Sequence, residues 1–244
     1  MASFVETHFQ YFKECPFEKQ GVLGAPPCEW VKKLGLRDVP LENFLPQECL
    51  DRSMVRATCR DLAKPVLFGY ICAMCWGVQD KGPRGNRGVT EAWEGRETIK
   101  EHLEKIRVGS LTRSEAYNLF NEGKNVKGLG PSYFTKLLFF FNPVENFWIM
   151  DQWTAKSVNL LAGERIVRLS GGAPSSKNRG GNYQAFCEEI DNLASQMNCS
   201  GNEIEQRLMS RGKPPGKWRQ YVVKHDYDKE KMVKRYPHIN SAEL

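Results

Sequence analysis

Residues 112–161 decide the fold of this chain; their sequence is TRSEAYNLFNEGKNVKGLGPSYFTKLLFFFNPVENFWIMDQWTAKSVNLL. Thr112 and Glu115 have the spacing of a capping box, the pattern that begins an α-helix. The glycines of Gly128-Leu129-Gly130 favour a tight turn, and Pro131 suits the first position of a second helix. The stretch therefore predicts two helices joined by a glycine hairpin.

The second of these helices is apolar on nearly every side. Four apolar residues recur at the spacing of a face packed in a core: Phe134, Leu137, Leu138 and Phe141. A helix that is apolar all round is expected to be buried. Lys136 is the only charged residue within it, and Asp151, which follows the apolar run FWIM, begins the next helix.

Length and composition are those of a folded, moderately basic protein. The 244 residues suffice for one large domain or for two lobes that share a core. The net charge of +6 permits nucleic-acid binding without establishing it, because clustering of charge matters more than its sum. No apolar run approaches the roughly 18–20 residues that span a bilayer, and the N-terminus lacks the pattern of a secretory signal. We expect a protein that is neither membrane-bound nor secreted.

The eight cysteines do not indicate a disulfide framework or a metal centre. Disulfides are rare in a chain of this size without a secretory signal. Cys72 and Cys75 form a closely spaced pair inside an apolar run, and no second such pair exists, so a four-thiolate zinc or iron–sulfur site is not supported. We expect this pair to belong to the core, and we expect neither a metal nor a cofactor.

Most of the remaining chain has helical periodicity. Residues 48–78 predict two helices separated at Pro65, and residues 91–108 predict an amphipathic helix. Residues 183–197 and 202–211 predict further helices. Almost no segment alternates with the period of two that half-buried strands require, so the predicted fold class is all-α.

Two stretches predict loops. Residues 79–90 are rich in glycine and carry Arg84 and Arg87, and residues 164–182 form a second glycine-rich segment. The stretch 79–90 has two interpretations: a solvated connection, or a loop whose arginines contact phosphates. Both stay open at the level of sequence.

The hairpin has the chemistry of an anion-binding turn. Backbone N–H groups at the start of the second helix suit an anionic oxygen, and glycine lets a phosphate approach the backbone closely. Lys124 and Lys127 add positive charge beside Gly128 and Gly130. Such a turn would hold the DNA backbone without reading a base.

Together, residues 126–141 and 147–156 resemble the helix–hairpin–helix DNA glycosylase superfamily. Members of that family carry a glycine–apolar–glycine hairpin before a buried helix, and an aspartate about twenty residues further on, where an apolar segment meets a helix. Asp151 lies 21 residues after Gly130. The later segments YQAFCEEI and GKWRQYV are similar to small proteins grouped with the 8-oxoguanine DNA glycosylase branch.

The resemblance implies a helical fold with two lobes and an active cleft between them. Residues 1–47 and 164–244 would form one lobe. Residues 48–163 would form the other, with the helix–hairpin–helix at 112–142 and the aspartate loop at 143–153. We expect the protein to be a monomer.

The resemblance further implies that the protein flips a base out of duplex DNA and excises it. The aspartate that matches Asp151 would stabilise positive charge developing on the sugar and would orient or deprotonate the nucleophile. A simpler interpretation is a helix N-cap whose oxygens accept from the amides of Trp153 or Thr154. The two roles are compatible, because a capping aspartate is a rigid one.

One position departs from the pattern of those members that also cleave the strand. These members place a lysine two residues after the second glycine, where this chain has Ser132; some monofunctional members, including adenine-specific mismatch glycosylases, also have serine there. This predicts water as the nucleophile. Lys136, one helical turn further on, permits a second interpretation as a Schiff-base nucleophile or a contact to the extruded base, since burial favours the neutral amine. It is otherwise a lysine whose ammonium reaches the surface, or one held in an ion pair.

Aromatic residues near the motif are candidates for stacking on a flipped base, although dense aromatics more often build a core. Trp153, two residues after Asp151, is the leading candidate. The others are Tyr133, Phe139, Trp148 and Trp218.

The prediction is a DNA glycosylase that acts on duplex DNA with a damaged or modified base, 8-oxoguanine being the first substrate to test. Other bases within this class are a misplaced adenine, an alkylated purine and a modified cytosine of foreign DNA. Two different classes stay open, a non-catalytic DNA-binding module and a helical protein-interaction domain. A DNA substrate implies a location in the nucleoid, hence the cytoplasm, or in the nucleus.

Overall fold

The computed structural model describes residues 4–17, 19–78, 82–122, 126–211 and 215–225, without the side chains of residues 82–85. These ranges contain twelve α-helices: α1 Glu6–Glu14, α2 Pro27–Leu34, α3 Arg52–Arg60, α4 Val66–Val78, α5 Gly82–Glu94, α6 Arg96–Val108, α7 Arg113–Asn121, α8 Pro131–Phe141, α9 Gln152–Ala162, α10 Gly180–Met197, α11 Gly201–Met209 and α12 Lys217–His225. One antiparallel pair, β1 Leu169–Ser170 and β2 Ala173–Pro174, a 3₁₀ turn at Glu42–Phe44 and an isolated antiparallel bridge between Leu23 and Leu50 complete the secondary structure of the described ranges. The predicted all-α fold class is confirmed.

Helices whose N-termini have a capping box or a proline in the sequence begin at the residues predicted. The Thr112 hydroxyl accepts from the N–H of Glu115 at 3.3 Å, and the Glu115 carboxylate accepts from the N–H of Thr112 at 2.8 Å. This reciprocal pair is the predicted capping box, and α7 begins directly after it. Pro131 is the first residue of α8, and Pro65 directly precedes α4.

Contacts along the chain divide it into two compact units. We name them the middle unit, residues 20–149, and the terminal unit, residues 1–19 and 150–244. The division into functional lobes at 47/48 and 163/164 stays a prediction, because compactness does not define a functional lobe.

The core of the middle unit is built from α4 and α8. Every residue of α4 is buried, and nine residues of α8 are buried. The two helices pack against each other and against α3. The nearly all-round apolar surface of α8 is thus matched by an equally apolar neighbour.

Helix α5 corrects the loop predicted for residues 79–90 where the chain is described, because it is helical from Gly82 to Glu94; residues 79–81 lie outside the described residues. Glycine lowers helix propensity by about 1 kcal/mol per residue, which is why the sequence favours a loop here. Packing reverses that preference at Gly88: a Cβ there would lie 3.1 Å from the carbonyl oxygen of Gly128, so glycine allows α5 to lie directly against the hairpin.

The terminal unit is organised around α9, which packs against α1, α10, α11 and α12. The N–H of Val5 donates to the carbonyl of Leu161 at 2.8 Å and anchors the N-terminal segment. The indole N–H of Trp218 on α12 donates to the Ser157 hydroxyl at 2.9 Å. That hydroxyl in turn donates to the carbonyl of Leu208 at 3.0 Å, so one serine links three helices.

The segment 164–182 is more ordered than the loop prediction implies. It contains the β1–β2 pair and the start of α10. The Asn178 side chain accepts from the Arg168 N–H at 2.8 Å and donates to the Arg168 carbonyl at 2.9 Å. The buried Asn178 side chain thus pairs with both backbone groups of Arg168, a contact that period-two patterning does not reveal.

Candidate active site

The hairpin between α7 and α8 is a tight turn whose geometry depends on Gly128. The N–H of Leu129 donates to the carbonyl of Val126 at 3.1 Å. Gly128 has a φ of +82°, a left-handed conformation that side chains rarely allow. A Cβ on Gly128 would also overlap the carbonyl oxygen of Gly88 on α5. Lys124 lies outside the described residues.

Gly130 differs from Gly128, because the fold does not require glycine there. It is the N-cap of α8 with a φ of −80°, which any residue adopts. Its carbonyl accepts from the N–H groups of Tyr133 at 2.8 Å and Phe134 at 3.1 Å. Within the described ranges, neither the Gly130 N–H nor the Ser132 N–H donates to another group, and a Cβ on Gly130 would meet nothing within 4 Å. Open space beside two uncommitted backbone donors suits an approaching anion.

Two basic side chains extend beside this hairpin. Arg87 of α5 and Lys127 lie 3.3 and 3.7 Å from the same Glu91 carboxylate oxygen, and both side chains are 81% exposed. Exposed ion pairs of this kind contribute little to stability, so a phosphate can compete for both cations. The side chain of Arg84 lies outside the described part of α5.

Lys136 is buried on α8, with 4% of its surface exposed. Its ammonium donates to the carbonyl of Ser132 and lies 5.6 Å from the ring centroid of Tyr133. Its stem fills the space beside Gly77 of α4, where a Cβ would lie 2.5 Å from the lysine Cδ. The side chain therefore runs back along α8 to the backbone of Ser132, the position that carries a lysine in strand-cleaving glycosylases. The low exposure disfavours an ammonium that reaches the surface.

Asp151 caps α9 through one of its carboxylate oxygens. Oδ1 accepts from the N–H groups of Trp153 at 2.7 Å and Thr154 at 3.1 Å, and the Thr154 hydroxyl accepts from the Asp151 N–H at 2.9 Å. The capping interpretation is thus confirmed. Oδ2 accepts no hydrogen bond from the described residues, although Asp151 is only 9% exposed. The hydrogen bonds to Oδ1 fix the orientation of the carboxylate, and they leave Oδ2 available to act on a substrate.

Three basic side chains that the sequence did not single out lie around the first turn of α9. The guanidinium of Arg219 and the ammonium of Lys156 lie 4.6 and 5.9 Å from the centroid of the Trp153 ring. Arg211, just after α11, interacts electrostatically with Asp151; burial lowers the pKa of Arg211, and the Asp151 charge opposes that shift more weakly. Arg219 lies in the GKWRQYV segment, which was a usable signal, whereas Arg211 has no local pattern.

The aromatic candidates fall into two groups. Trp148 packs against Phe139 with ring centroids 6.4 Å apart, and these two residues and Trp218 are almost fully buried, which favours core packing for all three. Tyr133 and Trp153 are partly exposed. Burial raises the pKa of the Tyr133 phenol, which keeps that ring neutral. Stacking on a base stays a prediction, with Tyr133 and Trp153 the sterically accessible candidates.

The described ranges contain no group of three or more His, Cys, Asp or Glu side chains that could hold a metal ion. The eight cysteines, which all lie in the described ranges, form no disulfide bond. Burial raises the pKa of Cys72 and Cys75 to about 12, so both thiols are neutral core groups. None of the described helices is long and apolar enough to cross a bilayer.

The helical fold and the comparison with known families define a class: a helical protein of the DNA glycosylase type, with DNA as its binding partner. The chain belongs to the family described as "Putative 8-oxoguanine DNA glycosylase OGG-like protein", whose model matches residues 24–209. The match includes the hairpin, Lys136 and Asp151 and ends before Arg211. It confirms the resemblance to the 8-oxoguanine branch. No curated protein and no solved structure matches the chain.

Proposed function

We propose that the protein flips a damaged or modified base out of duplex DNA and breaks the bond between that base and its sugar, with 8-oxoguanine as the first substrate. The observation that carries this proposal is the carboxylate of Asp151, in which one oxygen is fixed by backbone amides and the other is uncommitted in the described part of the chain. A carboxylate held in this way stabilises a developing cation without reorganising during the reaction. The spacing of 21 residues from Gly130 and the family membership support the same role.

The chemistry follows from the charge that develops on the sugar. When the glycosidic bond breaks, its electron pair leaves with the base and the sugar becomes cationic at C1′. Asp151 stabilises that cation through Oδ2. If water then attacks C1′, one of its protons passes to Asp151 and on to solvent, while the departing base takes up a proton from solvent. The products are a free base and an abasic site.

Lys136 offers a second nucleophile. A neutral amine that adds to C1′ as the bond to the base breaks forms a C–N bond. The C1′–O4′ bond then breaks, a proton of the amine passes to O4′, and the resulting Schiff base with the opened sugar permits cleavage of the strand. The serine at position 132 favours the water route, whereas the ammonium held against the Ser132 backbone favours the lysine route. We propose Lys136 as the nucleophile, with water as the alternative.

We propose that the hairpin and the two helices beside it form a helix–hairpin–helix phosphate grip. The N–H groups of Gly130 and Ser132 would donate to a phosphate oxygen, with Lys127 and Arg87 beside it. Lys124 and the side chain of Arg84 lie outside the described part of the chain and stay DNA contacts predicted from the sequence. Because every proposed contact is to the phosphate backbone of DNA, this site would bind duplexes of any sequence.

Gly130→Ala is expected to weaken binding to any duplex by roughly tenfold, equivalent to about 1.4 kcal/mol, with the melting temperature unchanged. The φ of −80° accepts alanine and the Cβ would meet no protein atom within 4 Å, so the added methyl would obstruct only the ligand. Fluorescence anisotropy with an undamaged duplex and thermal unfolding measure the two effects.

The matched control is Gly128→Ala, two residues earlier in the same turn. Its left-handed φ and the overlap with the Gly88 carbonyl predict a loss of stability, of which about 1–2 kcal/mol is the conformational cost alone. Full duplex affinity in Gly130→Ala would remove that backbone from the phosphate contact.

Lys127→Glu is expected to weaken binding to lesion-bearing and undamaged duplexes alike. The slope of log affinity against log salt should become shallower by about one or more, because at least one phosphate contact is lost. Lys105→Glu on α6 makes the same change of net charge at another exposed lysine and is the control. An effect confined to a single lesion would contradict a phosphate role for Lys127.

The experiment that tests the proposed function is a panel of duplexes, each with one damaged or modified base, assayed for base release with and without alkali. Release from the 8-oxoguanine duplex is the expected result. Strand breaks without alkali would indicate the lysine route. Release of adenine, alkylated purine or modified cytosine instead would keep the class and change the substrate, and no release with salt-dependent binding would indicate a non-catalytic DNA-binding module.

We also propose that the protein acts as a monomer in the compartment that holds DNA. The hairpin donors and the Asp151 carboxylate both come from one chain, so the proposed chemistry needs no second copy. Sedimentation of the complex with an abasic duplex tests this, and a stoichiometry of two chains per site would contradict it.

A further inference from the structure

We propose that Arg211 binds the phosphodiester next to the nucleotide whose base is excised, and so holds its sugar against Asp151. This inference rests on the proposed function and adds a binding residue to it. Arg211 lies two residues beyond both the segment that matches the family and the last residue of α11.

The guanidinium of Arg211 is half-buried and has no anionic partner within hydrogen-bonding distance in the described part of the chain. The side chain is half-buried, and burial is the larger influence on its pKa, which it lowers. In the described part of the chain the guanidinium makes no hydrogen bond and no ion pair within 4 Å, its one interaction being the longer-range attraction to Asp151. Removing a guanidinium from water without pairing it is costly. A ligand that supplies acceptors would offset that cost.

The two residues before Arg211 are hydrogen-bonded through their backbone carbonyls. Arg219 donates from both Nε and Nη2 to the carbonyl of Met209, while its guanidinium lies over Trp153. Ser210, with a φ of +40°, ends α11, and its carbonyl accepts from the N–H of Gly216 at 3.3 Å. These contacts tie the end of α11 to the first turn of α9, which Asp151 caps, and they fix the backbone one and two residues before Arg211.

The chemistry of the expected ligand follows from what surrounds C1′ in DNA. The nearest anions to that carbon are the two phosphates of the same nucleotide, since sugar and base are neutral. A guanidinium presents its donors as a planar fork that matches two phosphate oxygens. A cation that touches the phosphate while Asp151 faces the sugar would fix the nucleotide at both ends.

The test uses the full chain and a short duplex that carries one tetrahydrofuran abasic site, a probe with the sugar and phosphates but no base. Arg211→Gln is expected to lower affinity for this duplex roughly tenfold or more. A neutral methylphosphonate in place of the contacted flanking phosphate should lower the affinity of the wild-type protein for the duplex by a similar factor. The same replacement should not lower the affinity of Arg211→Gln further. Arg165→Gln removes the same charge from an exposed position in the terminal unit. In this variant the methylphosphonate should lower the affinity for the duplex as much as it does in the wild type.

The proposal would be overturned if methylphosphonate lowered the affinity of the wild-type protein and of Arg211→Gln equally at each of the two flanking phosphates. It would also be overturned if the wild-type protein did not bind the abasic duplex. If Arg211→Gln melts below the wild type, Arg211→Lys provides the same comparison with the charge kept and the fork lost, and an intermediate penalty is expected. Binding to an abasic duplex requires no base release. The lesion panel can therefore fail while this test succeeds, and the reverse.

Discussion

Asp151→Asn is expected to slow base release in a single turnover by on the order of 10³-fold while duplex binding is kept. Asparagine has an oxygen in the position of Oδ1, so it can still accept from the amides of Trp153 and Thr154 and cap α9. Its second branch is a neutral NH₂ group, which neither stabilises a cation nor accepts a proton. Stability and affinity should therefore stay near the wild-type values while the chemical step is lost.

The chain contains its own control for this substitution. Asp51 is the N-cap of α3, and its carboxylate accepts from the N–H of Met54 at 2.8 Å, so Asp51→Asn is the same change at an equivalent helix position. It should leave base release unchanged. Rates measured with excess protein over a lesion-bearing duplex compare the two variants directly. Wild-type release by Asp151→Asn would reduce Asp151 to a capping residue.

Helix starts could be predicted from sequence because the physical cause lies within a few residues. Thr112 and Glu115 satisfy each other's backbone groups, and Pro131 enters a helix at a position where its missing N–H costs nothing. The capping bonds of Asp151 span only three residues along the chain. Rules of this range need no knowledge of the fold.

Helix α5 was missed because its stabilising contact is distant in sequence. The local preference of a segment with three glycines is for a loop, but the close approach of Gly88 to Gly128 depends on where the hairpin lies. Propensity is a weak prior that tertiary packing overrides. The same fact reassigns Arg87 from a predicted loop to a helix beside the hairpin.

Arg211 was missed for a related reason. A lone arginine after a helix has no periodicity or motif, and its importance comes from half-burial and from the charge of Asp151, sixty positions earlier. Trp148 illustrates the converse, since its place in the sequence suggested stacking and its burial favours a core role. Burial and long-range contacts are what a single sequence does not contain.

Reduction with borohydride during reaction with a lesion-bearing duplex is expected to trap a covalent adduct that Lys136→Ala loses entirely. Borohydride reduces the Schiff base between the amine and C1′ of the sugar to a stable bond, so only an amine nucleophile leaves an adduct. The buried ammonium against the Ser132 carbonyl is the structural basis for this expectation. Denaturing gels report the adduct, and peptide mapping identifies the lysine.

Two comparisons make the trapping result specific. Lys136→Met keeps an unbranched apolar stem against Gly77, so it removes the amine while leaving the packing of α4 on α8 nearly intact. Loss of the adduct in this variant would therefore report chemistry rather than unfolding. Lys156 is buried to the same extent as Lys136, and an adduct mapped to Lys156 would place the nucleophile on α9. An active wild-type protein that forms no adduct would establish water as the nucleophile. Ser132 would then mark a monofunctional glycosylase, and the Lys136 amine would be left to contact the extruded base.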